Sequence, residues 1–234
     1  MRLNRFVARC GIDSRRSCDD GIMNGMVTVN GRLVTNPGEK ISEGDIVLWD
    51  GASVSLPEIF VAMMNKPAGY ETTMDEKASR PVSLLSAGMP RGTTPVGRLD
   101  IRTGGLLLWS NDGELVYRLT HPRWKIEREY SLVLAKPVEK ESLEKMRAGS
   151  FIAQNQFSKP VAVEKTGSKT IKVVLITGRN REVRRLAKNS GIPIIGLERV
   201  RFGPILLDNL ERGKWRELTS EETASLCSAV KLNR

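Results

Sequence analysis

One break in pattern decides what this chain of 234 residues can build. Between Asp50 and Glu58 it carries Gly51, Ser53, Ser55 and Pro57, the composition of a linker. Before the break the apolar residues recur in short, tight groups. After it, longer apolar runs of strand and helix character alternate as far as residue 220. A single continuous core does not suit such a change. The expectation is an α+β chain with a small module at 1–50, a linker at 51–58 and a larger domain at 59–234.

Within the small module, Leu3, Phe6, Val7 and Cys10 fall at the i, i+3, i+4, i+7 spacing of a short helix. Arg2, Arg5 and Arg9 then point away from that stripe. Ser14 is placed to cap a second helix running to about Asn24, with Arg15 and Arg16 in its first turn and Gly25 at its end. The β-prone pairs around Asn30-Gly31 form the strongest short hairpin signal there is, and a strand over 45–49 completes the module.

The larger domain reads as strands over 60–64, 106–109, 130–134, 161–164, 170–176, 194–200 and 215–218. Helices are expected from Glu114, over 139–148, over 180–189 and from Ser220. No internal repeat interrupts this order.

Charge narrows the partners. Lys and Arg number 37 against 27 Asp and Glu, a net charge of +10, and a polyanion is the natural complement. No apolar run has the ~20 residues of a membrane span. The basic start lacks an apolar signal core, so a cytoplasmic protein without a membrane partner is expected. Three scattered cysteines and one histidine give neither a disulfide framework nor a structural zinc site, and no metal site is expected.

The segment richest in chemistry is Val96-Gly97-Arg98-Leu99-Asp100-Ile101-Arg102-Thr103-Gly104-Gly105, a loop that sets an aspartate beside arginines and then enters a buried strand. On residue types alone, two readings of Asp100 stay open. It is either a turn residue bonding the backbone near Thr103 or a reactive carboxylate. Residues 176–201 hold seven Lys or Arg and two Glu. Among them, Arg181, Arg184, Arg185 and Lys188 share a broad helix face, and Arg199 and Arg201 are expected on one side of the next strand, facing phosphates.

Two resemblances weigh these readings. Arg2-Leu3-Asn4-Arg5-Phe6, Ser14-Arg15-Arg16 and Gly25-Met26-Val27-Thr28-Val29-Asn30-Gly31 resemble the alpha-L RNA-binding module, which binds structured RNA. Gly97-Arg98-Leu99-Asp100 with Thr103, Gly105 and Leu106, then Asn111-Asp112-Gly113-Glu114-Leu115, is similar to the signature of the RsuA-type ribosomal RNA pseudouridine synthases. In the same order as in that family stand Asn65-Lys66-Pro67-Ala68-Gly69, Glu129-Tyr130 and Gly178-Arg179-Asn180-Arg181-Glu182-Val183-Arg184-Arg185-Leu186. Some members carry His-Gln where this chain has Arg181-Glu182. The Arg-Glu form also occurs in the family, and the difference leaves the target site open.

The resemblance implies a mixed, largely antiparallel sheet flanked by helices. It also implies Asp100 as the essential carboxylate, Tyr130 as the aromatic that stacks on the target base, and Arg184 as the basic partner of the aspartate. Moving a uracil from a nitrogen to a carbon linkage changes no oxidation state and consumes no water, so no cofactor is expected. An aspartate reacting near neutral pH must be charged in a semi-enclosed site, which a guanidinium favours. The base must be extruded to react, and Arg98 stands next to the loop to fill the vacated space or meet a phosphate. The expected partner is structured RNA, ribosomal RNA or a ribosomal assembly intermediate, and a monomer is expected. A non-catalytic RNA-binding or assembly protein on the same fold is the alternative. It would need only the basic surface and the module. A metal-dependent nuclease would need carboxylates clustered about a cation, which the spacing does not offer.

Overall fold

The computed structural model describes residues 1–233. It divides into two compact units. The first comprises Met1–Phe60 together with Gly88–Thr94 and Ser110–Gly113. The second comprises Val61–Ala87, Pro95–Trp109 and the chain from Glu114 onward.

The first unit begins with helices α1 (Leu3–Arg9) and α2 (Arg15–Met23). Ser14 caps α2 by accepting from the Ser17 amide, as its position predicts. Strands β1 (Val27–Val29), β2 (Arg32–Leu33), β3 (Val47–Trp49) and β4 (Ala52–Ser53) form a small sheet in the order β2-β1-β3-β4. Asn30 and Gly31 both take positive φ, 51° and 78°, the backbone that a two-residue hairpin turn requires. Asp50 and Gly51 repeat this geometry with φ of 50° and 78°. The first residues of the expected linker are therefore the return strand of a second hairpin, β4 against β3. Leu3, Val7, Cys18, Ile22, Val27 and Val47 are buried together as the core of this unit, with Phe6 partly buried against them.

The second unit is built from β5 (Val61–Lys66), β6 (Thr94–Pro95), β7 (Gly104–Ser110), β8 (Arg128–Leu134), β9 (Ser150–Ala153), β10 (Gln156–Ser158), β11 (Ala162–Gly167), β12 (Thr170–Leu175), β13 (Ile194–Phe202), β14 (Ile205–Leu206) and β15 (Trp215–Glu217), with the terminal residues Thr94 and Ser110 falling in the first. Its helices are α3 (Gly113–Thr120), α4 (Lys140–Ala148), α5 (Glu182–Asn189) and α6 (Ser220–Ala229). The long sheet runs β11-β12-β8-β13-β7-β5-β15. It is mixed and mostly antiparallel: β13 runs parallel to β7 and antiparallel to β8. β9 and β10 form a separate antiparallel hairpin, for which the sequence offers no clear signal.

β7 is buried along its whole length. A strand covered on both sides needs an unbroken apolar run, and Leu106-Leu107-Leu108-Trp109 supplies it. Gly105 allows β7 to lie close to β13. Its φ is +96°, and a Cβ there would stand 2.3 Å from the Arg199 carbonyl oxygen. One core joins β5, β7 and β13 to α3 and α6 through Met63, Leu108, Phe202, Leu119 and Leu226. A second joins β8 and β12 to α4 and α5 through Leu132, Val173, Met146 and Leu186. Thr219 and Glu222 form a capping box that starts α6. Among the described residues no helix is long and apolar enough to cross a membrane.

Candidate active site

Asp100 sits in the second unit, in the turn between β6 and β7. The turn is closed by its own backbone, the Thr103 amide donating to the Asp100 carbonyl at 2.9 Å. The local bond that one reading of the sequence gave to the carboxylate is thus made by the main chain, and the side chain stays half-buried at the edge of a cavity of about 640 Å³.

Five consecutive carbonyls of this turn are held from outside it or across it. Thr72 Oγ1 donates to Leu99 O at 2.8 Å and accepts from the Leu99 amide at 3.1 Å. The Gly69 amide donates to Ile101 O at 2.6 Å. Arg184 Nη2 donates to Arg102 O at 2.7 Å. Lys66 Nζ donates to Thr103 O at 2.9 Å and reaches Asp100 O at 3.5 Å. A loop so tied has little freedom, which fixes the backbone from which the Asp100 side chain projects.

Lys66 is the residue that reading by side-chain type passes over. It ends β5, is fully buried and follows an apolar run, and a buried cation in that position is the available signal. Burial pushes its ammonium down to about 8, aided by the charge of Arg199 and opposed by that of Asp100.

Tyr130 lies on β8, half-buried and lining the same cavity. Directly across the ladder is Arg199 of β13. Arg199 was expected to face phosphates, but it is 2% exposed. Its Nε donates to Leu106 O at 2.8 Å, and its guanidinium lies beside the Tyr130 side chain and 4.9 Å from the Phe202 ring. Burial lowers its pKa and the neighbouring Tyr130 opposes that shift. Arg201 does not continue the alternation, because the β8–β13 register shifts between Arg199 and Arg201. Arg201 pairs with Glu127 at 3.0 Å and Glu129 at 3.2 Å, so both arginines serve the sheet.

Arg184 also departs from the expected arrangement. Among the described residues no salt bridge joins it to the Asp100 carboxylate. It braces the turn through Arg102 O and reaches Thr103 Oγ1 at 3.3 Å. Its pKa is lowered, first by burial and then by the charge of Arg181, with Asp100 opposing. Arg185 holds the β9–β10 hairpin through Ile152 O at 3.1 Å. Arg98 and Arg181 are exposed and line the cavity. In the first unit Arg2, Arg15 and Arg16 are exposed and Arg5 is half-buried. Arg9 turns toward Asp112, 4.0 Å away, instead of toward solvent.

Glu182, at the start of α5, is buried and accepts from Ser158 Oγ and Thr177 Oγ1, each at 2.6 Å, and from the Arg179 amide at 3.1 Å. Its three donors give the Arg-Glu form of the motif a complete support of its own.

A half-buried carboxylate and an aromatic that line one cavity, with cations around the rim, suit chemistry on an extruded base. Known proteins similar to this chain agree. Residues 61–189 match the model of the RNA pseudouridylate synthases, and residues 1–47 match that of the S4 domain. An RNA pseudouridine synthase of Aquifex aeolicus (strain VF5) is 37% identical over 237 residues, covering 100% of this chain and 99% of that protein. The ribosomal large subunit pseudouridine synthase B of Bacillus subtilis (strain 168) is 32% identical, covering 96% and 95%. A crystal structure of a pseudouridylate synthase superposes with a TM-score of 0.70 at 27% identity, covering 97% of this chain and 99% of that one. With more than half its length under the family model and relatives aligned from end to end, the chain belongs to the RNA pseudouridylate synthase family.

Proposed function

We propose that this enzyme isomerises a uridine of ribosomal RNA to pseudouridine, with Asp100 as the reacting carboxylate. The observation that carries the reading is the Asp100 turn, whose carbonyls are tied one after another while its carboxylate is left to face the cavity that Tyr130 lines. The name of the B. subtilis relative favours large-subunit RNA as the substrate. On this reading the chain works in the cytoplasm, as a monomer, in ribosome biogenesis.

The reaction breaks the bond from uracil N1 to ribose C1′, turns the base, and forms a bond from C5 to C1′. C5 gives up its proton and N1 gains one. The carboxylate starts this by attacking C1′, by adding to the base or by taking a proton from the sugar. Tyr130 offers its face to the extruded uracil, and such stacking contributes about 1–3 kcal/mol. Arg98 and Arg181 at the rim meet phosphates flanking the target. Arg2, Arg5, Arg15 and Arg16 of the S4 domain hold more distant RNA.

The test is tritium release from ribosomal RNA transcribed with uridine labelled at C5. Wild-type protein is expected to release label to water. Asp100→Asn, equal in shape but without charge, is expected to release none while binding RNA with nearly unchanged affinity. Release by a variant shown by mass to be free of deamidation, at anything close to the wild-type rate, overturns the role of Asp100.

A further inference from the structure

The β9–β10 hairpin stands outside the long sheet and carries two phenylalanines that the fold does not use. Phe151 and Phe157 are direct cross-strand partners. Their rings lie 5.3 Å apart at 71°, edge to face. They are 67% and 47% exposed, whereas Ile152, next to Phe151 on the opposite face of β9, is buried against the α5 core. One side of the hairpin thus anchors it and the other displays an aromatic pair. Ser158 fixes its end by bonding the buried Glu182.

The surroundings of this pair are cationic. Arg179 donates to the Phe157 carbonyl, and Arg185 donates to the Ile152 carbonyl at 3.1 Å and to Asn180 Oδ1. All three acceptors are neutral, and among the described residues no salt bridge pairs either guanidinium with a carboxylate. Residues 150–160 add Lys159 and contain no Asp or Glu. The exposed tip is Gln154-Asn155-Gln156, three amides that can both donate and accept. The platform is also continuous with the active site, because Arg179 and Asn180, which bond the hairpin and Arg185, line the Asp100 cavity.

We propose that Phe151 and Phe157 form a stacking platform for an unpaired nucleotide of the substrate RNA, near the uridine that enters the Asp100 cavity. This rests on the family's RNA substrate and on the cavity described above. A flat apolar face, fixed positive charge and amide edges are the combination that single-stranded nucleic acid requires. The aromatic pair takes a base, Arg179 and Lys159 meet its phosphates, and the tip amides read base edges. The platform explains why the hairpin is held so firmly from the active-site loop. It selects targets next to an unpaired base and leaves fully paired flanks unrewarded.

The experiment uses full-length protein and transcribed large-subunit ribosomal RNA. Affinity is measured for the wild type, for Phe151→Ala/Phe157→Ala and for Phe151→Tyr/Phe157→Tyr. Loss of one stacked base predicts about tenfold weaker binding for the alanine pair, with affinity near wild type for the tyrosine pair. RNA carrying 5-iodouridine is expected to photo-cross-link to residue 151 or 157 of the wild type. Because both side chains are exposed, the melting temperature should stay unchanged in either variant. Binding of the alanine pair within twofold of wild type, with no cross-link at either residue, overturns the proposal. So does a self-association that disappears on substitution while RNA affinity is unchanged, since the face then contacts protein. Tritium release by the wild type, run alongside, separates this outcome from failure of the isomerase reading.

Discussion

Lys66 and Thr103 are joined by a buried hydrogen bond of 2.9 Å from the ammonium to the carbonyl, and this bond ties the end of β5 to the far side of the Asp100 turn. The same ammonium bonds Pro67 O at 3.1 Å. Replacing Lys66 by methionine keeps the apolar stem but leaves those carbonyls without their donor. A buried unsatisfied acceptor costs about 1–3 kcal/mol. Urea unfolding near pH 10.5, where the folded amine is neutral and the charge-burial penalty is largely lifted, is expected to show a loss of that size. Single-turnover rate at saturating RNA should fall at least about tenfold, since the turn that aims the carboxylate is no longer held. A variant that loses stability but reacts at the wild-type rate would show that the turn holds its position without Lys66.

The lowered pKa of Lys66 has a signature in stability. Its folded value is about 8 against an ordinary 10.5. Between those values the unfolded chain keeps the proton and the folded chain has released it. The unfolded state then binds more protons, and stability rises with pH. Below about 8 both states are protonated and the burial penalty is constant. The difference in unfolding free energy between wild type and Lys66→Met is expected to grow in favour of wild type from pH 8 to pH 10.5 and to be flat between pH 6 and 7.5. A flat difference across the alkaline range contradicts the shift.

Gly105 is paired with Arg199 where β7 runs beside β13. An added Cβ would meet the Arg199 carbonyl oxygen at 2.3 Å and its amide nitrogen at 2.7 Å, both main-chain atoms that cannot swing aside. The positive φ adds strain for any other residue. Gly105→Ala is expected to destabilise the protein by about 3 kcal/mol or more and to displace Arg199 from beside Tyr130. Thermal unfolding measures the first effect. A Tm within 2 °C of wild type, a margin of roughly half a kcal/mol for a chain of this size, would refute it.

What the sequence makes legible follows from where the information lies. Asn30-Gly31 announces a hairpin because β-prone runs flank it. Asp50-Gly51 has the same turn chemistry, yet only Ala52–Ser53 follows it as strand, and that pair is recruited by β3 rather than by its own propensity. The β9–β10 hairpin turns at Asn155, with φ of 57°, but no glycine follows and its strands contain serine and glutamine. Asp100 and Tyr130 stand out by motif. The carbonyl bonds that hold Asp100 do not, because acceptors on the main chain leave no mark in residue type. Arg201 leaves the side of Arg199 for a related reason: strict alternation runs through a register shift between them that only strand pairing reveals.

Arg184 and the pair Arg15 and Arg16 should separate chemistry from binding. Arg184 is half-buried and bonds Arg102 O within the reactive turn, so its loss should loosen Asp100 and leave the outer RNA interactions in place. Arg184→Ala is expected to slow single-turnover at saturating RNA by about 10- to 100-fold with an unchanged salt dependence of affinity. Arg15 and Arg16 are exposed at the start of α2 and lie in the S4 domain. Arg15→Ala/Arg16→Ala should therefore weaken binding and flatten the plot of log affinity against log salt by roughly one unit for each phosphate that is no longer neutralised, while the saturated rate stays within about twofold of wild type. The two measurements cross: one variant moves the rate and the other the salt slope. If Arg184→Ala flattens the salt slope yet reacts normally when saturated, Arg184 binds a phosphate, and the turn that carries Asp100 is held well enough by Lys66, Thr72 and Gly69.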